Sequence, residues 1–130
     1  MMQRGGSGPQ EILTAIAALP EVIELHGQAR FQHLNGLIED DFESANSHLV
    51  RDLLGYRFLW QGETVWGFTS AGLKEALRGI GDIATLVGAL AERGVIRRGS
   101  PERLQIAKKI GGVKRRVYAV PDTLLLHDQQ

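Results

Sequence analysis

Cysteine is absent from the 130-residue chain. That excludes disulfide frameworks, thiolate metal sites and thiol catalysis, and it suits a reducing, cytoplasmic setting. Long apolar runs are missing as well, and none approaches the roughly 20 residues a membrane helix needs. Net charge is zero, with 15 Lys/Arg against 15 Asp/Glu. No GxxxxGK[ST] string occurs. The nearest, GGSGP at 5–9, lacks both the Lys that reaches phosphate and the hydroxyl that holds magnesium. Nucleophile-elbow, kinase and HExxH strings are also lacking. His26, His33, His48 and His127 never stand four apart, so no zinc pair is expected from them. Glu39-Asp40-Asp41 and Glu43 lack the glycine of a calcium loop and read as a solvated acidic turn. The expectation is a chain without enzymatic activity, with no catalytic residue, no cofactor and no metal.

What is present is a globular composition, 43% hydrophobic and 23% charged. Its length suits one domain. Residues 1–8 read as a flexible lead-in, 9–121 as the domain and 122–130 as a tail. The neutral total hides a split. Residues 78–118 carry ten Lys/Arg against three acids, a net of +7, while residues 1–77 carry five against ten, a net of −5. Such a division points to a polyanion or an acidic partner at one end.

Pro9 suits the first position of a helix. Ile12, Ile16, Leu19 and Ile23 follow on one face, with Pro20 predicting a kink or two abutting helices and Gly27 a stop. Residues 35–48 are acidic, carry turn formers and read mainly as a connector. YRFLWQGETVWGFT predicts a β-hairpin around Gln61-Gly62-Glu63. Leu73, Leu77 and Ile80 then predict a helix capped by Ser70. Ile83, Leu86, Val87 and Leu90 predict a second, capped by Asp82 and ended by Gly94. Two helices of about eleven residues across a glycine-containing turn make a helix-turn-helix candidate. Val95-Ile96 reads as a possible strand entry and RRGSPER as a loop. A second hairpin follows, with Leu104, Ile106 and Ile110 on one strand, Val117 and Val120 on the other, and Gly111-Gly112 near the turn. The fold class expected is α+β: a winged helix-turn-helix core with an N-terminal helical segment and an additional β-hairpin.

The candidate site is the second hairpin with its adjoining loop. Arg97, Arg98, Arg103, Lys108, Lys109, Lys114, Arg115 and Arg116 would contact phosphates, which gives affinity without sequence information. The alternation of a strand sends Lys114 and Arg116 one way and Arg115 the other. The bland alternative is a solvated edge kept from pairing by its charges. The second helix-turn-helix helix offers Asp82, Thr85, Gly88-Ala89 and Glu92-Arg93 outward, a poor set for reading base edges. Its Gly88-Ala89 surface equally suits close helix packing. Tyr56, Phe58, Trp60, Trp66, Phe68 and Tyr118 could stack on unpaired bases, but alternating hairpin aromatics read as core. Trp60 and Trp66, near the turn, stay as minor candidates.

ALAERGVIRRGSPERLQIAKKIGGVKRRVYAV resembles the C-terminal end of a family of helicase- and primase-associated proteins of phages and mobile elements. HGQARF at 26–31 and LLGYRF at 53–58 resemble earlier parts of the same tail, so the resemblance covers about residues 12–121. It implies a winged-helix accessory domain of a DNA-replication motor or its loader. Motor activity does not carry over, since the phosphate loop is missing. The resulting expectation is DNA binding, single- or double-stranded, beside a helicase or primase, with no membrane involvement. The competing class is an interaction module that docks to a partner protein or self-associates.

Overall fold

The computed structural model describes residues 9–35, 41–44, 52–110 and 113–123. Helix α1 (Pro9–His26) begins on its proline, whose missing N–H would be unpaired there anyway. Ala15, Leu19 and Ile23 are buried at four-residue spacing, with Ile12 and Ile16 at the margin. Of the two outcomes expected at Pro20, two abutting helices do not form. One helix runs through it, because Leu19 and Ile23 bury against the same core on either side of the lost donor. The Gly27 N–H closes the end on the Ile23 carbonyl at 2.7 Å.

Six strands follow: β1 (Phe31–Asn35), β2 (Asp41–Ser44), β3 (Gly55–Trp60), β4 (Glu63–Phe68), β5 (Ile106–Ile110) and β6 (Val113–Pro121). They close into a barrel in the order β1-β2-β5-β6-β4-β3. β2 lies within the stretch that reads as connector. It joins β1 antiparallel at Leu34↔Ser44 and β5 parallel at Asp41↔Lys109. Residues 36–40 and 45–48 of that stretch, His48 and Glu39-Asp40 included, lie outside the described residues. The β3–β4 hairpin turns through Gln61 (φ 49°) and Gly62 (φ 81°). Two successive positive φ values are the mark of the two-residue turn that matches strand twist.

Helix α2 (Ser70–Ala76) is capped by Thr69 rather than Ser70, and the Thr69 hydroxyl accepts from the Gly72 N–H at 2.9 Å. Helix α3 (Ile83–Glu92) is capped by Asp82 as expected. At ten residues α3 meets the expected length of about eleven, and α2, at seven, falls short of it. Val95 and Ile96 are buried but begin no strand. The Arg97 N–H alone reaches the Ala119 carbonyl, at 2.8 Å.

The sheet has two buried faces. Tyr56, Phe58, Trp60, Val65, Ile106, Ile110, Val117 and Ala119 pack together inside the barrel. The alternate positions Phe31, Trp66, Phe68 and Val120 meet the helices through Leu19, Leu73, Leu86 and Leu90. Phe31 stands edge-on to both Trp66 and Phe68, with ring centroids 5.1 Å apart in each case. Among the described residues the arrangement is mixed α+β, with α1, α2 and α3 against one side of a curled sheet.

Polar links clamp the helices to the loops. Arg30 makes a two-pronged bond to Glu75 at 2.6 and 2.9 Å and donates through Nε to the Asp52 carbonyl. The Arg30 hydrogen bond holds the Glu75 carboxyl below its ordinary range. Hydrogen bonds from the Thr85 hydroxyl and N–H do the same for Asp82. Both groups have folded-state values depressed below their unfolded ones. The stability they contribute is therefore fully present above the ordinary carboxylate range and lost as pH falls through the folded values. Urea midpoints should hold steady from neutrality to about pH 5 and drop below about pH 4. Glu75→Gln should make that acid fall shallower.

Candidate nucleic-acid interface

β6 is the organising element. Its first half pairs with β5 (Lys109↔Lys114, Lys108↔Arg115, Ala107↔Arg116). Its second half pairs with β4 (Phe68↔Tyr118, Trp66↔Val120). Residues opposite one another share a face, so Lys114, Arg116, Tyr118 and Val120 lie on one side of β6. That is the side on which the helices pack. Helix cover reaches Val120 and Tyr118 and gives out at Arg116, which is exposed together with Lys114.

A groove of about 700 Å³ opens there. Arg103, Lys108, Lys114 and Arg116 line it, together with Gln105 and Tyr118, and Trp60 and Gln61 of the β3–β4 turn border it. Glu102 is the only acid among the described residues of its lining. Arg103, Lys114 and Arg116 have no ion pair among the described residues. Arg103 of the loop and Lys114 and Arg116 of β6 thus share one concavity, with Lys108, which stands opposite Arg115 in the register, at its border.

The other four candidates stand elsewhere. Arg97 is bound by Glu63 at 2.9 Å and also donates to the Gly94 carbonyl, which makes it a strut between the loop and β4. Arg98 reaches Glu92 at 3.3 Å and the Pro101 carbonyl. Arg115 lies on the opposite face of β6 and is absent from the groove lining. Lys109 stands beside Asp41 in the β2–β5 register and is also absent from it.

A second recess of about 370 Å³ adjoins the groove. Ile83, Ala84 and Val87 of α3, Ser70 and Lys74 of α2, and Leu104 and Tyr118 line it. Leu104 and Tyr118 belong to both cavities, and the Gln105 side chain donates to the Ser70 hydroxyl at 3.3 Å across their junction. Neither Gln105 nor the recess stands out in the sequence, because the recess forms only where α2, α3 and the loop meet.

Trp60 and Trp66 are each 6% exposed, which removes them as stacking platforms. Trp66 donates to Asp122 at 2.8 Å, fixing the first residue of the segment that reads as tail. Asp82 is occupied as a cap, its carboxylate accepting from the Thr85 N–H and hydroxyl. A Cβ on Gly88 would meet nothing within 4 Å, so that glycine serves no close helix packing. His33 Nε2 donates to the Gly27 carbonyl at 2.8 Å. Among the described residues no group of three His, Cys, Asp or Glu could hold a metal, and no helix is long and apolar enough to cross a membrane. No family model matches the chain, and no curated protein matches it.

Proposed function

We propose that this chain binds nucleic acid through phosphate contacts in the β5–β6 groove, as a winged-helix accessory domain of a helicase or primase. The observation that carries the binding reading is the convergence of Arg103, Lys114 and Arg116 on one concave surface. Phosphates along a strand need cations spaced along a groove, and ion pairs would neutralise them. The order α1, β4, α2, α3, β5, β6, with β6 between β4 and β5, supports the winged-helix reading. β1, β2 and β3 are then an insertion that closes the sheet. The replication partner rests on the resemblance across residues 12–121.

The test is fluorescence anisotropy with labelled oligonucleotides over a salt series. Three phosphate contacts give a log–log slope of roughly −3 on duplex and −2 on single strands, a loss of roughly 20- to 40-fold between about 50 and 200 mM salt. Replacing Arg103, Lys114 and Arg116 together by Ala should flatten that slope while the fold survives, since all three side chains are exposed. Arg115→Ala, on the far face, should leave the slope near the parent's. A parent that binds neither form at low salt, or a triple variant with an unchanged slope, turns the groove into a protein-docking surface.

A further inference from the structure

We propose that the natural ligand of the groove is a single strand, with one base turned into the adjoining recess against Tyr118. This rests on the nucleic-acid reading above and specifies its substrate. Three observations lead to it. First, the two cavities are chemically different and adjoin at Leu104 and Tyr118. The larger carries Arg103, Lys114 and Arg116, and the smaller is walled by Ile83, Ala84, Val87, Leu104 and Tyr118, with Ser70 and Lys74 as its polar members. A chain of phosphates bearing flat apolar groups matches that pair, and a duplex, with its bases stacked inside, does not. The recess also lies within the size range of small-ligand pockets, about 300–1,000 Å³.

Second, Tyr118 stands at the junction. Phe31, Tyr56, Phe58, Trp60, Trp66 and Phe68 are all buried. Among the Phe, Tyr and Trp side chains whose burial is described, Tyr118 is the one left partly exposed. Aromatic faces beside a cationic groove are how single strands are held without sequence preference.

Third, α3 is ill suited to a major groove. Its exposed positions are Ala84, Thr85, Glu92 and Arg93, and the Asp82 carboxylate sits at the end the helix dipole would offer to phosphate. Reading a duplex needs Arg, Lys, Asn or Gln along such a helix.

The experiment compares an oligothymidylate of about 15 nucleotides, the same length of abasic strand, and a duplex, each titrated at low salt. The parent should bind the oligothymidylate more tightly than the duplex. Tyr118→Leu should weaken oligothymidylate binding about 5- to 150-fold, with its salt slope unchanged. Tyr118→Phe, which keeps the ring, should bind like the parent. On the abasic strand the parent should already be as weak as Tyr118→Leu, and that substitution should cost nothing further. Thermal melts of both variants check that they are folded. Duplex binding equal to or tighter than single-strand binding overturns this proposal and leaves the phosphate reading standing. So does an abasic strand bound as well as the natural one. Loss of binding to all three probes overturns both.

Discussion

Gly72→Ala is expected to cost the fold about 3 kcal/mol, the upper end of what overpacking usually does. Gly72 is buried in α2, and an added Cβ would collide with the backbone of Leu54, its carbonyl oxygen foremost. A side chain could rotate away, but this carbonyl cannot. It accepts from the Thr69 N–H at 3.0 Å and lies 3.4 Å from the Thr69 hydroxyl. The cap of α2 and the entry to β3 therefore share one acceptor, and shifting it loosens both. Gly88→Ala is the matched comparison. It also sits within a helix, but its Cβ would enter open space. It should stabilise by about 0.5–1 kcal/mol through helix propensity alone. Urea midpoints of the two variants should move in opposite directions. A Gly72→Ala protein as stable as the parent would show that α2 does not rest on the Leu54 backbone.

Leu86→Ala and Leu90→Ala should each cost about 2–5 kcal/mol. Both side chains are fully buried in the layer between α3, α1 and the sheet. Leu90 has a further part in ending its helix, since its carbonyl accepts from the Val95 and Ile96 N–H groups at 2.9 and 3.3 Å. The cavity left by Leu90→Ala lies directly under that turn. Because the two residues are one helical turn apart in a shared core, the double variant should depart from the sum of the singles. Denaturation curves for all three settle it. Unchanged midpoints in both single variants would mean that α3 faces the core with another stripe.

Much of this was legible before any coordinates. Asp82 as a cap, the turn at Gln61-Gly62 and the stripe of Leu86, Val87 and Leu90 are local features, set by residues within a few positions of one another. β2 was not legible. Its four residues form a strand because β1 and β5 offer edges, and nothing within DFES announces that. For the same reason in reverse, Pro20 does not split α1 in two, since contacts with distant chain outweigh its local penalty. The candidate site was half legible. Charge density pointed to the β5–β6 hairpin, but dividing its cations needs the register and the neighbours. Arg97 is removed by Glu63, 34 positions earlier, and Arg115 by the face it occupies. The recess beside Tyr118 is assembled from α2, α3, the loop and β6, so its linear signature is nil.

β6 spends one half on β5 and the other on β4, without a break between them. The charged ribbon is thus no appendage on a hinge. Tension applied at Lys114 or Arg116 passes along a single extended backbone into Tyr118, Ala119 and Val120. There it must shear a row of hydrogen bonds to β4 rather than peel one free end. Shear loads many bonds at once. A strand gripped in the groove would accordingly be held by a stiff arm, able to transmit force to the helical layer instead of absorbing it.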